Sequence, residues 1–203
     1  RALASLGLVS GTGSGYDADT DATQEQAAAL LVRLLGAEKA ARADKRNCGW
    51  KDVPRWAWSA VNYCAYQSLI DWSEYLPNGA LEAKLWCAML LRALGYGETA
   101  VCHQRLGIVQ QKLILGGAGQ SHIAARTALR IGLISRPLDG TLTRGDLFET
   151  ALAALTYPKR DGGTLLDTLL TKRLCTAAAV DALGLRDEYL TAREAADRTL
   201  SAV

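Results

Sequence analysis

The chain has 203 residues, of which 49% are hydrophobic and 22% charged, a composition typical of a globular protein with one good core or two small ones. Its net charge of +2 arises from interspersed charges of both signs, which excludes the basic footprint of a nucleic-acid binder. No apolar run reaches the roughly 18 to 20 residues that cross a bilayer, so no membrane span is predicted.

The first feature along the chain is a glycine-rich segment, GLVSGTGSGYDADTDATQEQ, at residues 7–26. A phosphate-binding loop needs a strand before it and a helix start after it, with no carboxylates that would repel the anion. Here the preceding residues have helical spacing and three aspartates follow. The segment therefore predicts a helix that stops at Gly7, a turn through residues 10–15, and a new helix capped at Thr23.

A repeat of about sixty residues organises the rest of the chain. LLVRLLG (30–36) and MLLRALG (89–95) superpose Arg33 on Arg92, and TALAALT (150–156) places Ala153 at the same position, at spacings of 59 and 61 residues. A second marker, Leu8 and its counterparts Leu69 and Leu133, recurs with nearly the same period. Two markers with one period indicate three internal copies.

Each copy predicts two amphipathic helices joined by a loop with glycine or proline, so the predicted fold class is all-α. The helices are predicted near residues 24–36, 54–68, 82–94, 121–132 and 144–156. The predicted core residues are Leu31, Leu34, Val61, Leu90, Leu94, Leu129 and Leu152. After Leu174, TAAAVDALGL and TAREAADRTLSA are rich in helix formers and predict two short helices in a C-terminal tail.

The five cysteines are an odd number without a CxxC pair, and the two histidines lack ligand spacing. Cys64 and Cys87 stand in apolar helical patterns, where a free thiol behaves as a small hydrophobic side chain. Core thiols are favoured over a disulfide pair or a metal site. Because the histidines also lack a nucleophile or acid partner, neither an enzyme nor a cofactor is predicted.

The middle copy resembles a known family. GWKDVPRWAWSAVNYCAYQSLI followed by LLRALGY is similar to the S-layer homology repeat, which has an aromatic-x-Asp-Val start, a Gly-Leu-Ile stop, a Thr-Arg-Ala-Glu helix start and an Arg-Ala-Leu-Gly finish. The first copy adds GLVSGTGSGYDADTDATQEQAAALLVRLLG, and the third adds ALRIGLI and LTRGDLFETALAAL. The resemblance covers residues 3–157.

The resemblance implies three helical-hairpin repeats in a pseudo-threefold bundle, at residues 1–44, 45–105 and 106–172, followed by the helical tail at 173–203. It also implies a non-catalytic, extracellular module of the bacterial cell wall. Such modules bind an acidic, often pyruvylated, secondary cell-wall polysaccharide in grooves between repeats and anchor a larger protein. The alternative is a related structural or protein-interaction module, with another surface protein as partner, that has lost glycan binding.

In the family, the arginine of Thr-Arg-Ala-Glu is the main anion contact, and the third copy keeps it as Thr143, Arg144 and Asp146. The first copy has Gln24 at the arginine position and the second has Ala83. Neither can offer the planar fork that an arginine presents to a carboxylate. One groove centred on Arg144 is therefore predicted to bind, and Asp52 and Lys84 complete the candidate polar set.

All five tryptophans lie between residues 50 and 86. Trp56 and Trp86 match family positions that pack into the bundle and are predicted in the core, with Trp50 half-buried. Trp58 is two residues past Trp56, which points it about 200° around the helix, and Trp72 stands in a loop. Trp58 and Trp72 are candidates for an aromatic surface that stacks on a sugar or a protein partner, or they enlarge the core.

Overall fold

The computed structural model describes residues 1–11, 15–71, 73–96 and 120–187, with only the backbone described at 120–122. This part of the chain is all-α, as predicted, and its β contacts are isolated bridges. None of the helices within these ranges is long and apolar enough to cross a bilayer. We number them α1 (Ala2–Ser5), α2 (Gln24–Leu34), α3 (Glu38–Ala43), α4 (Trp58–Tyr66), α5 (Ala83–Ala93), α6 (Gln120–Arg130), α7 (Arg144–Thr156), α8 (Leu165–Thr171) and α9 (Ala177–Ala182).

Three helices, α1, α4 and α6, are followed by residues in the left-handed conformation: Gly7 at φ 73°, Ser68 at φ 56° and Gly132 at φ 78°. The next amide in each case donates to the carbonyl five residues earlier, which satisfies the end of the helix. These bonds are Leu8 N to Leu3 O at 2.8 Å, Leu69 N to Cys64 O at 2.8 Å and Leu133 N to Ala128 O at 2.9 Å. The second sequence marker therefore coincides with a repeated helix stop.

Arg33 and Arg92, the residues of the first marker, donate to the carbonyls of those stops. Arg33 Nη1 lies 3.2 Å from Leu8 O, and Arg92 Nη1 lies 3.3 Å from Leu69 O. In the predicted third copy, where Ala153 stands at the marker position, the Tyr157 hydroxyl donates to the Ile131 carbonyl at 2.8 Å. Each arginine thus ties the end of its own helix to the stop of a helix earlier in the chain.

The residues just before α2, α5 and α7 form a closed ring of backbone hydrogen bonds. Ala22 N donates to Leu142 O, Leu142 N to Leu81 O, and Leu81 N to Ala22 O, each at 2.8 Å. Antiparallel bridges flank the ring at Asp21 with Thr143, Thr23 with Ala80, and Glu82 with Thr141. The three ring residues are spaced by 59 and 61 positions, which equals the spacing of the arginine marker.

A second set of bonds ties the start of each of these helices to a neighbouring loop. Gln24 N donates to Gly79 O at 3.1 Å, Ala83 N to Gly140 O at 2.8 Å, and Arg144 N to Thr20 O at 2.8 Å. These amides are among those that a helix start leaves without an intrahelical partner. The loops therefore cap the three helices and also position them relative to one another.

The core lies around α2, α5 and α7. Leu31, Leu34, Val61, Leu90 and Leu94 are buried as predicted, whereas Leu129 and Leu152 are partly buried and pack against the core. Trp86 is fully buried, and its Nε1 donates to Thr150 Oγ1 at 2.7 Å. Trp50 is half-buried against Tyr75, with ring centroids 4.5 Å apart.

The predicted burial of Trp56 is wrong, because its side chain is 62% exposed. The predicted helix 54–68 begins four residues later, at Trp58, so Trp56 stands in the turn before α4. The buried stripe of this region passes through Ala57, Val61 and Cys64, which are 0% exposed. Trp56 lies one residue outside that stripe and turns toward solvent.

Helix α8, which leads into the tail, packs beside the end of α2. Lys172 Nζ donates to Leu35 O and Gly36 O at 3.0 Å each, and so supplies positive charge to the carbonyl end of α2. Val180 and Leu185 are buried. The first predicted tail helix is confirmed as α9; the second, at 191–202, lies outside the described residues.

Candidate functional site

A groove of about 110 Å³ lies between the start of α7, one face of α2 and the turn that holds Trp56. Arg144 and Phe148 line it from α7, and Gln26 and Arg33 line it from α2. We call it the Arg144 groove. It combines two guanidinium groups with one exposed indole, the groups that bind carboxylates and stack on sugar rings.

Arg144 is the first residue of α7, and its side chain is only 17% exposed. Its Nη1 lies 3.5 Å from Asp17 Oδ2, and its Cζ lies 5.9 Å from the Phe148 ring centroid. The Asp17 contact uses a single nitrogen of a guanidinium that has five N–H donors. Asp17 and Phe148 thus hold the side chain in place and leave further donors for an anionic ligand.

Thr143 and Asp146 form a capping box at the start of α7. Thr143 Oγ1 accepts from Asp146 N at 3.1 Å, and Thr143 N donates to Asp146 Oδ2 at 3.0 Å. Burial opposes ionisation of Asp146, but the hydrogen bonds from Thr143 and Arg136 outweigh it and lower the pKa of this carboxyl. The structure therefore assigns both residues to holding α7, with Arg144 as the side chain that reaches the groove.

The other predicted site residues lie elsewhere. Trp58 is partly buried at the start of α4, and Lys84 pairs with Glu82 at 2.7 Å at the start of α5. Asp52 is exposed, and its carbonyl accepts from Asn78 Nδ2 at 3.0 Å. None of these three lines the Arg144 groove. Trp72 lies outside the described residues.

The residues that sequence analysis missed are Trp56 and Arg33. The family resemblance places Trp56 in the core, whereas its offset by one residue from the buried Ala57 indicates that it faces away from the core. The sequence pattern identifies Arg33 as a repeat marker alone. Its guanidinium contacts the Leu8 carbonyl at 3.2 Å and Glu38 Oε1 at 3.3 Å while lining the groove.

Gln24 and Ala83, at the positions equivalent to Arg144, are both buried. The Gln24 amide bridges two backbone groups, because Oε1 accepts from Leu76 N at 3.0 Å and Nε2 donates to Ala80 O at 3.2 Å. Gln24, the first residue of α2, therefore holds the loop before α5 in place. Neither residue lines the Arg144 groove.

Within the described ranges, no group of three or more His, Cys, Asp or Glu side chains could hold a metal ion. Cys64 and Cys87 are fully buried free thiols, which confirms their assignment to the core. Burial raises the pKa of the Cys87 thiol to about 12 and also raises that of Cys64. Both therefore stay protonated and unreactive at neutral pH. Cys102 and His103 lie outside the described residues.

No protein-family model matches the chain. The chain is similar to a surface layer protein of Brevibacillus choshinensis, with 31% identity over 102 residues. That similarity spans 47% of this chain and 9% of the relative's length. It suggests a relation to surface layer proteins and a role at the cell surface.

Proposed function

We propose that this chain is a non-catalytic wall-binding module whose Arg144 groove binds an acidic residue of a secondary cell-wall polysaccharide. The observation that supports the proposal is that Arg144 and the exposed Trp56 line the same groove. A guanidinium fork can pair with a carboxylate such as a pyruvate ketal, and an indole can cover the apolar face of the sugar that bears it. Bound in this way, the module would anchor a larger protein outside the cell.

The proposal includes three divergent copies at residues 1–44, 45–105 and 106–172, followed by the tail at 173–203. The hydrogen-bonded ring of Ala22, Leu81 and Leu142, with one residue from each copy, supports this division. The repeated helix stops at Leu8, Leu69 and Leu133 support it as well. The first two copies lack the arginine, so a single groove would retain binding.

The test is sedimentation of the full chain with purified bacterial cell walls, before and after extraction of their non-peptidoglycan polysaccharide. Arg144→Ala should weaken binding by about 1.5 to 3 kcal/mol, or roughly ten- to a hundredfold, through loss of a charge-assisted contact. Arg144→Lys should recover part of it, because a point charge cannot form the fork. Trp56→Ala should also weaken binding without changing the melting temperature, because the side chain is exposed.

Arg126→Ala is the matched control, since Arg126 is an exposed arginine on α6 that does not line the groove. Gln24→Ala is unsuitable, because it removes two hydrogen bonds to backbone groups. Equal binding by the wild type and Arg144→Ala would contradict the one-groove proposal. Equal binding to intact and extracted walls would contradict a polysaccharide ligand.

A protein-interaction module is the second candidate, and the exposure of two large apolar side chains favours it. Trp56 is 62% exposed and Leu76 is 64% exposed. Exposed Trp is enriched where proteins bind one another. Two results together would favour this candidate over the glycan module. The chain would bind neither wall preparation, and it would capture a surface protein through a contact that Trp56→Ala abolishes.

A further inference from the structure

A second, larger cavity lies at the carbonyl ends of two helices. The Arg144 groove is at the start of α7, whereas this cavity of about 550 Å³ is bounded by the carbonyl ends of α2 and α5, the segment 159–161 and α8. We call it the C-terminal cavity. It shares no lining residue with the Arg144 groove. Its chemistry can therefore be tested independently.

Three cationic side chains and one carboxylate line the C-terminal cavity: Arg92, Lys159, Arg160 and Asp161. Lys159 Nζ lies 3.6 Å from Asp161 Oδ1, longer than a hydrogen bond, and the Asp161 side chain is 80% exposed. Such an exposed pair contributes little and is easily exchanged. Arg160 makes no ion pair with any residue of the described part.

Two carbonyls at the cavity wall already have donors. Leu94 O accepts from Arg160 N at 2.9 Å, and Leu35 O accepts from Lys172 Nζ at 3.0 Å. Arg92 uses Nη1 on the Leu69 carbonyl, which is one of its five N–H groups. The lining side chains therefore carry three positive charges against the one carboxylate of Asp161, and an anion would complement them.

We propose that the C-terminal cavity binds an oxyanion, a phosphate or a carboxylate, attached to a body the size of a sugar. The cavity is too large for a bare ion and falls within the size range of small-molecule sites. Leu35, Leu94 and Leu165 also line it and add apolar surface, suited to the C–H face of a sugar ring. This inference does not depend on glycan binding in the Arg144 groove.

The test is isothermal titration calorimetry of the full chain with glucose 1-phosphate, glucuronate and glucose. At least one charged sugar should bind ten or more times tighter than glucose, and the tighter one identifies the oxyanion. The Lys159→Ala, Arg160→Ala double variant should lose at least tenfold in affinity for it. Arg160→Gln, which keeps the three side-chain carbons from Cβ to Cδ and a polar end but removes the charge, should lose severalfold and guards against misfolding of the double variant.

Two controls place the binding in this cavity. Arg126→Ala should bind as the wild type does, because Arg126 is a surface arginine outside both cavities. In an Arg144→Ala background, Lys159→Ala with Arg160→Ala should cause the same fractional loss of affinity, because the two sites share no lining residue. Three results would each overturn the proposal. The first is equal affinity for glucose and both charged sugars, and the second is no binding of any of the three sugars. The third is unchanged binding by folded Arg160→Gln and the folded double variant.

Discussion

The Glu25 carboxylate is buried in the first turn of α2, with 1% of the residue exposed. Its Oε1 accepts from the Tyr75 hydroxyl and from Asn78 N, both at 2.7 Å. Burial and the hydrogen bond with Glu25 raise the pKa of Tyr75, so the Tyr75 hydroxyl keeps its proton and remains a donor. Glu25 thereby holds the loop before α5 against α2.

Glu25→Gln should destabilise the protein by about 1 to 3 kcal/mol, because a neutral amide replaces a charged acceptor of two hydrogen bonds in a buried site. The measurement is urea unfolding followed by circular dichroism. Tyr75→Phe in the same assay removes one of the two donors and should cost less. A Glu25→Gln variant as stable as the wild type would show that the carboxylate contributes nothing to holding the loop.

The lowered pKa of Asp146 links stability to pH. A carboxyl whose folded pKa is below its usual value of 3.8 stabilises the fold above that value, and its contribution is lost as the pH falls through the folded pKa. Asp146→Asn should therefore lower the melting temperature at pH 7. The difference between variant and wild type should narrow below about pH 3.8. A difference that is constant with pH would exclude the carboxylate charge as its cause.

At the scale of elements, the tail meets α2 at Gly36, which has a φ of 57°. A Cβ at this position would lie 2.7 Å from Leu174 Cδ1 and 3.0 Å from Lys172 Cδ. Gly132 also follows a helix with positive φ, 78°, but a Cβ there would meet no atom within 4 Å. Substitutions at these two glycines therefore distinguish the cost of a left-handed backbone from the cost of a close contact with Leu174 and Lys172.

Gly36→Ala and Gly132→Ala should both lower the melting temperature, because each forces a Cβ into the left-handed region at a cost of roughly 1 to 2 kcal/mol. Gly36→Ala should lose about 1 kcal/mol more, since it displaces Lys172 from the two carbonyls that it caps. Differential scanning calorimetry measures both. Equal losses would mean that the tail does not pack on α2 as described.

Much at this scale could be predicted from the sequence. The predicted cap at Thr23 and the helix predicted near 144–156 agree with the observed helix starts at Gln24 and Arg144, and the predicted stops at Gly7 and Gly132 are confirmed. The start of α4 could not be predicted, because Pro54 suits a first helical turn but here precedes a non-helical turn that ends at Ala57. Because α4 begins four residues later than predicted, Trp56 lies in the turn before the helix and lines the groove.

At the scale of the whole molecule, sequence periodicity located the three helices whose starts meet in the ring of Ala22, Leu81 and Leu142. It could not locate the groove, because the groove depends on which side chains of distant segments converge. Arg144 was found through its motif. Arg33 and Trp56 reach the same groove from positions more than 80 residues earlier, and no local pattern of residues indicates that proximity.

The ring also predicts how the molecule unfolds. All five tryptophans lie between residues 50 and 86, so their fluorescence reports the middle of the chain, whereas circular dichroism reports every helix. Because the helix starts are bonded to one another, both signals should change at one temperature. Leu147→Ala, a buried substitution in α7, should lower both midpoints together. A fluorescence midpoint that does not shift would show independent unfolding of the middle segment.

The ring of Ala22, Leu81 and Leu142 can contain only three segments. Each segment gives one N–H and takes one with its C=O, so three segments leave no open backbone group and a fourth has no place to join. A chain that lost one segment would expose one donor and one acceptor at the centre of the bundle. The corresponding segment of a second chain would satisfy both, so exchange of segments between two truncated chains is the assembly error to which this architecture is most open.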